Sequence, residues 1–211
     1  MTPQDFIRAN AALIAPPLVP EIQLHLATEV LPLWRATEEE LTKIGVPPPY
    51  WAFAWAGGQA LARYILDNPE IVRGRQVLDI GSGSGLVAIA AMKAGASSVL
   101  AADIDSFACA AIVLNAAANV CDIAVTVEDV IGTPTSRDVI LVGDLFYERP
   151  LAERLLAWLH DLEADVLLGD PGRNYFPKTG VKKCATYNVA VTRDLEDRDI
   201  RETSVYRLSR A

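Results

Sequence analysis

Cysteine and histidine are scarce in this chain of 211 residues: Cys109, Cys121, Cys184, His25 and His160 are all it has. The cysteines are odd in number, widely separated and without a histidine beside them, so neither a disulfide framework nor a metal site can be read from them. They are expected to be small core or loop residues in a reducing compartment, and no metal is expected. No apolar run approaches the roughly eighteen residues that a membrane-spanning helix requires, so no membrane partner is expected. Basic side chains are outnumbered, 19 Lys and Arg against 27 Asp and Glu, for a net charge of -8. That balance argues against a nucleic-acid partner, because neutralising phosphates takes clustered Lys and Arg. A basic or neutral partner fits it better. Met1-Thr2-Pro3-Gln4-Asp5-Phe6 offers no basic flank followed by a long apolar stretch, so a secretory leader is not expected and a cytoplasmic location is. Internal repeats and low-complexity segments are absent as well.

What is present is enough apolar residue for a core. Hydrophobic residues make up 51% and charged residues 22% of the chain, which excludes general disorder. The length suits one sizeable α/β domain and is too short for two ordinary domains with linkers. The chain reads as an N-terminal extension over residues 1–54 followed by one domain over residues 55–211. A monomer is expected.

The stretch that organises the domain is Val77-Leu78-Asp79-Ile80-Gly81-Ser82-Gly83-Ser84-Gly85-Leu86, followed by the small apolar residues Val87 to Ala94. An apolar run ending in an acid, glycines at alternate positions and then small helix formers read as strand, tight loop and helix. Glycines let such a loop turn sharply and approach a ligand closely. The helix beginning near Leu86 points its unsatisfied N–H groups at whatever sits on the loop, so an anionic end of a ligand belongs there. The dinucleotide fingerprint fails, because with Gly81 and Gly83 in place its third glycine falls on Leu86. A second apolar strand, Val99 to Ala102, ends in Asp103, eighteen residues beyond Gly85. A carboxylate at that strand end can accept both ribose hydroxyls of an adenosine cofactor.

Upstream, residues 2 to about 45 read as helical, with Thr2 as cap, Pro3 at the first helical position and a break at Pro16-Pro17. Glu38, Glu39 and Glu40 after Thr37 read as the acidic first turn of a further helix, a solvated face, ended by Gly45 and Pro47. The stretch from Pro47 to Gly58 packs Tyr50, Trp51, Phe53 and Trp55 beside a glycine pair, ahead of the helical Gln59 to Leu66. It reads either as an aromatic hinge clamping the extension to the core or as a lid whose aromatics cover a ligand.

Downstream, Phe107 to Asn119 is a helix capped by Asp105-Ser106, and Ala124 to Val127 is a strand closing with Glu128-Asp129. Val139 to Gly143 is wholly apolar, as suits the buried centre of a parallel sheet. It delivers Asp144-Leu145-Phe146-Tyr147 to the C-terminal edge, where open α/β sheets bind their ligands. Pro150 opens a helix running through Trp158 to Leu162, and Asp165 to Gly169 is a strand ending in Asp170-Pro171-Gly172-Arg173. The alternation of strands and helices implies a parallel sheet.

Asp79-x-Gly81-x-Gly83-x-Gly85 resembles the first motif of class I S-adenosylmethionine-dependent methyltransferases. With Asp103, the acids after the third strand and the strand order, the resemblance covers roughly residues 55 to 211. It implies an α/β fold with a Rossmann-like seven-stranded sheet, mostly parallel with a closing antiparallel strand, preceded by an N-terminal helical extension. Ala185 to Thr192 and Ile200 to Leu208, around the polar turn Arg193 to Asp199, resemble the closing antiparallel pair of that sheet. The implied cofactor is S-adenosylmethionine, held by Asp79, Gly81, Gly83, Gly85, Asp103 and Ile104. Glu128 and Asp129 would face the adenine amine with Val130 packing nearby, and Trp55 and Gly57 would cover the methionine end.

Three local motifs carry a narrower resemblance: Tyr50-Trp51-Ala52-Phe53-Ala54-Trp55-Ala56-Gly57-Gly58-Gln59, Asp144-Leu145-Phe146-Tyr147 and Gly169-Asp170-Pro171-Gly172-Arg173. They are similar to those of the bacterial branch of the electron transfer flavoprotein β-subunit lysine methyltransferases. That group is related to the ribosomal protein L11 methyltransferases, which tend to carry Asn where Asp144 stands. The resemblance implies a protein lysine N-methyltransferase, with the electron transfer flavoprotein β-subunit as its protein substrate. Asp144 and Tyr147 are then the catalytic candidates. Asp144 would capture and orient the amine and balance its charge; whether it also accepts the proton is open. Tyr147 either lines the amine channel or packs under the following helix, and Arg173 and Tyr175 are candidates for holding the substrate backbone. Other readings stay open: a small-molecule N-methyltransferase, a ribosomal protein methyltransferase, and a cofactor-binding module without catalysis. A dehydrogenase is disfavoured by the glycine spacing.

Overall fold

Strand and helix alternate as the apolar pattern requires in the computed structural model, which describes residues 2–27, 47–191 and 199–209. Helix α1 (Pro3–Asn10) starts on a reciprocal cap. Thr2 Oγ1 accepts the Asp5 N–H at 3.2 Å, and the Asp5 carboxylate accepts the Thr2 N–H and hydroxyl at 3.2 and 2.7 Å. The helical expectation for residues 2 to about 45 holds only this far. The chain turns instead into β1 (Ala12–Ile14) and, past Pro16 and Pro17, β2 (Leu24–Leu26), an antiparallel pair.

A tertiary contact overrides the helical reading there. The His25 N–H donates to Asn115 Oδ1 at 2.7 Å, the Gln23 N–H donates to Asn119 Oδ1 at 3.0 Å, and Asn119 Nδ2 donates to the Gln23 carbonyl at 2.6 Å. Amide side chains from a later helix thus satisfy the backbone around β2, which no local propensity reveals. The helix expected after Thr37 and most of the polar turn from Arg193 lie outside the described residues.

A short 3-10 turn at Tyr50–Ala52 leads into α2 (Ala56–Asp67), and then strands and helices alternate: β3 (Gln76–Ile80), α3 (Leu86–Lys93), β4 (Ser98–Ala102), α4 (Ser106–Ala118) and β5 (Ala124–Thr126). β6 (Val139–Gly143), α5 (Arg149–His160), β7 (Asp165–Asp170), β8 (Val181–Ala190) and β9 (Ile200–Leu208) complete the described chain. The seven-stranded sheet runs β5-β4-β3-β6-β7-β9-β8. Strands β3 to β7 are parallel, β9 is antiparallel to β7, and β8 is antiparallel to β9 with a bulge between Lys183 and Ala185. This is the mostly parallel sheet with a closing antiparallel strand that the sequence led us to expect.

The two-residue strand period sorts the core into layers. Val77, Val139, Leu141 and Leu167 pack with Leu61 and Ile65 of α2 and with Ala88 and Ile89 of α3. Leu78, Ile80, Ile140 and Val142 point the other way, onto Leu155 and Leu159 of α5. A third cluster of Ile7, Trp51, Ala108, Ala111 and Leu114 fastens α1 and the aromatic turn to α4, with Phe6 edge-on to Phe107 at 5.5 Å. The chain runs from β3 outward to β4 and β5 and then returns past β3 to β6. Connections therefore diverge between β3 and β6, which opens a crevice at the C-terminal strand ends. Among the described residues no helix is long and apolar enough to cross a membrane.

Candidate functional site

The crevice is a cavity of about 480 Å³, a size suited to a cofactor-sized ligand. Gly81 and Gly83 border it after β3, Asp103 and Ile104 after β4, and Glu128 and Asp129 after β5. Asp144 and Tyr147 enter after β6, and Tyr50 and Trp55 supply aromatic wall. Asp79, Gly85 and Gly57, also read as cofactor-contacting, are buried behind this lining.

Asp79 works from beneath the loop. Its Oδ2 accepts the Ser82 hydroxyl at 2.5 Å and the Ala88 N–H at 3.1 Å, which knots strand, loop and first helical turn together. Burial pushes its pKa up to about 7. Asp103 holds the loop from the side, Oδ2 accepting the Gly83 N–H at 2.9 Å and Oδ1 the Asp105 N–H at 3.0 Å. Burial raises its pKa too. Each of its oxygens keeps a further lone pair, and the residue borders the cavity.

Two glycines shape the floor. Gly81 has φ +60°, and a Cβ there would meet the Leu145 side chain at 2.6 Å. Gly83, at φ +54°, has open space on its Cβ side, nothing lying closer than the Gly81 carbonyl oxygen at 3.9 Å. A bare backbone floor, a carboxylate at the end of β4 and an apolar Ile104 at the rim, 75% exposed, fit the adenosyl part of S-adenosylmethionine. Both acids after β5 are exposed; Asp129 is bridged by Arg154 at 2.7 Å and accepts the Ile131 N–H at 3.1 Å. Arg154, on α5, carried no sequence signal for this site.

Asp144 sits in the left-handed region with φ +62°, a conformation Asp tolerates better than most side chains. Its N–H donates to the Gly169 carbonyl at 3.0 Å. Oδ2 accepts the backbone N–H of Gly57 in a short bond, and Oδ1 accepts Arg173 Nε at 2.7 Å. The two side chains of that ion pair are 7% and 19% exposed. A Cβ on Gly57 would meet Asp144 Oδ2 at 2.6 Å and lie closer still to the Gly169 carbonyl oxygen. Gly57 is thus a close-approach residue that aims the N-terminus of α2, with its partial positive charge, at a carboxylate.

Arg173, read from the sequence as a candidate for the substrate backbone, is paired here with Asp144. Its backbone N–H and that of Gly172 both donate to Asp170 Oδ1 at 2.7 Å, and the guanidinium lies 5.9 Å from the centre of the Trp55 ring. Burial, with the Asp144 charge adding to it, raises the Asp170 pKa to about 6. The signal for this arrangement was the Asp-x-Gly turn after a buried strand. The carboxylate it serves lies on another strand.

Trp55 Nε1 donates to the Tyr50 carbonyl at 2.9 Å, and Tyr50 lies 6.1 Å from Trp55 and 6.3 Å from Tyr147, centre to centre. Trp51 is fully buried against Ile7, Ala108 and Leu114 and also borders the cavity, so the aromatic stretch serves as both hinge and cavity wall. Burial raises the Tyr147 pKa, with Tyr50, Glu148 and Asp103 adding to it, so its phenol stays protonated at neutral pH. Tyr175 packs under the Arg149 guanidinium at 5.6 Å. The three cysteines are free, and no metal-binding cluster occurs among the described residues.

The family profile of the ribosomal protein L11 methyltransferases (PrmA) matches residues 59–145. An electron transfer flavoprotein beta subunit lysine methyltransferase of Xenopus laevis is 45% identical over 180 residues, covering 82% of this chain and 72% of the relative. The protein of that description from Rattus norvegicus is 44% identical over 165 residues, with 75% of this chain and 64% of the relative covered. Among solved structures, the ribosomal protein L11 methylase of Lactobacillus delbrueckii subsp. bulgaricus superposes with a TM-score of 0.51 at 25% identity, covering 72% of this chain and 77% of that one.

Proposed function

The chain belongs to the family of electron transfer flavoprotein beta subunit lysine methyltransferases, and on that premise we propose that it transfers methyl groups from S-adenosylmethionine to lysine side chains of an electron transfer flavoprotein β-subunit. The observation that carries the reading is the Asp144 carboxylate. It is fixed at the cavity wall between the Gly57 N–H and Arg173, beside the aromatic faces of Trp55, Tyr50 and Tyr147.

Bound S-adenosylmethionine supplies an electrophilic methyl group on a cationic sulfur. The Gly81 to Gly85 loop and Asp103 hold the adenosyl end, and Asp79 keeps that loop in shape. A lysine of pKa about 10.4 is neutral only about one part in a thousand near pH 7.4, a cost of roughly 4 kcal/mol, and only the neutral amine attacks. Trp55, Tyr50 and Tyr147 strip water from the amine, which favours the neutral form. Asp144 orients the amine and balances the positive charge that the nitrogen gains on transfer. Holding the reactants in line supplies much of the rate.

The match of residues 59–145 to the L11 methyltransferase profile supports a second reading, a ribosomal protein as substrate. The deciding test is incubation with methyl-labelled S-adenosylmethionine and purified electron transfer flavoprotein, followed by peptide mass spectrometry of the β-subunit. Labelled lysines are expected with the wild-type enzyme and none with Asp144→Asn. An enzyme that binds cofactor but leaves the β-subunit unlabelled would overturn the substrate; label appearing on ribosomal proteins, or staying acid-soluble, would identify the replacement.

A further inference from the structure

Asp144 poses a problem for the reaction it is placed to serve. A lone carboxylate beside the amine would stabilise ammonium and hold the lysine in its unreactive form. The structure supplies a counter-charge. Arg173 Nε donates to Asp144 Oδ1 at 2.7 Å, in a pair whose side chains are 7% and 19% exposed. A guanidinium does not release its proton in proteins, so this positive charge persists at every working pH. The pair is also built rather than incidental. Asp170 Oδ1 holds the backbone N–H of Arg173 and Gly172 at 2.7 Å, the Trp55 ring faces the guanidinium at 5.9 Å, and Gly57 takes the opposite Asp144 oxygen.

We propose that Arg173 is a positioning residue for methyl transfer: it holds Asp144 in one orientation and cancels its charge, so that the incoming lysine is received as the neutral amine. The proposal rests on the lysine methyltransferase reading. In the step it serves, the amine lone pair forms the N–C bond, the C–S bond breaks with its electron pair going to sulfur, and the resulting methylammonium gives a proton to water.

Other charged and titratable groups meet this end of the cavity from each neighbouring element. Asp103 follows β4, Tyr147 and Glu148 follow β6, Asp170 follows β7, Tyr50 stands in the wall, and Asp129 with Arg154 lies further round. Tyr147 stays neutral, and Asp129 already has Arg154 as its counter-ion. Among the described residues, Arg173 is a cation in direct contact with Asp144.

The test compares wild type, Arg173→Gln and Arg173→Lys in the full chain, with S-adenosylmethionine and purified electron transfer flavoprotein, by the pH dependence of kcat. The rising limb reports the amine in the complex. In Arg173→Gln the limb should move up by roughly one pH unit or more, a loss of about tenfold near neutrality that closes at high pH. Arg173→Lys should keep the limb near its wild-type position. Calorimetry supplies two readouts independent of turnover. S-adenosylmethionine should still bind both variants, no more weakly in Arg173→Gln than in wild type, which also reports that they fold. With S-adenosylhomocysteine bound, β-subunit binding should release fewer protons in Arg173→Gln than in wild type, as judged across buffers of different ionisation heat. A limb that stays put in Arg173→Gln overturns the proposal, whether the rate falls equally at all pH or not at all. So does a limb that moves as far in Arg173→Lys. A wild type that binds S-adenosylmethionine but labels no lysine of the β-subunit overturns instead the substrate reading beneath the proposal.

Discussion

Gly57 and Asp144 lie 87 residues apart in the chain, and the backbone N–H of the first donates to the carboxylate of the second. That reach exists because three glycines let helix and sheet backbones touch. A Cβ on Gly143 would meet Gly58 Cα at 3.1 Å, one on Gly169 would meet Leu61 Cβ at 2.9 Å, and one on Gly57 would strike Asp144 and Gly169. Helix α2 is thereby set with its N-terminus on the ends of β6 and β7, and the conformation of Asp144 depends on that approach.

Gly57→Ala tests the approach directly. The added methyl must push α2 off the sheet, so an overpacking cost of about 1–3 kcal/mol is expected, seen as a lowered melting temperature. Methyl transfer should fall further than S-adenosylmethionine affinity, since Gly57 touches Asp144 and stands behind the cavity lining. A variant that melts and turns over like wild type would show that the helix has room to spare.

Asp144→Asn keeps the shape of the side chain and removes its charge. S-adenosylmethionine affinity, measured by calorimetry, should stay within about threefold of wild type. Labelled methyl transfer should drop by roughly 100-fold or more, the usual cost of losing a group aimed at charge that develops in the transition state. Retained turnover would remove Asp144 from the mechanism.

Asp103→Ala removes the carboxylate that locks the glycine loop and borders the adenosyl end. Charge-assisted hydrogen bonds contribute roughly 1.5–3 kcal/mol, so calorimetry should find the cofactor about 10- to 150-fold weaker. Unchanged affinity would end the assignment.

The parts of this site that were legible in the sequence are those written along one strand and its loop. β3 with its glycines, Asp103 at the end of β4 and Asp144 at the end of β6 all follow a buried parallel strand, whose apolar run announces where it stops. What was illegible depends on which strands lie side by side. Arg173 reaches Asp144 because β6 and β7 pair with Gly143 opposite Gly169, which brings the two turns after them together. Asp129 meets Arg154 because α5 packs back over the sheet. The β1–β2 pair was misread as helix because the partners of β2, Asn115 on α4 and Asn119 at its C-terminal cap, lie 90 and 96 residues downstream.

Asp79 makes folding stability depend on pH. Its pKa is 3.8 when unperturbed and about 7 in the fold, because burial outweighs the bonds from Ser82 and Ala88. Between those values the folded protein binds more protons than the unfolded chain, so this group's contribution falls as pH rises from 3.8 to about 7 and is level above that. The loss is on the order of a few kcal/mol. Asp103 and Asp170 are raised as well and bend the overall profile the same way, so the wild-type curve alone does not isolate Asp79. Comparison with Asp79→Asn does, because the amide retains an oxygen to accept from Ser82 or Ala88 and cannot ionise. Melting temperatures of both proteins from about pH 5 to 8 should show wild type losing ground to the variant up to about pH 7 and holding a constant gap above it. A gap that is constant throughout would mean that Asp79 is ionised in the fold at every pH tested, and the buried knot beneath the glycine loop would then be an anion held by two hydrogen bonds.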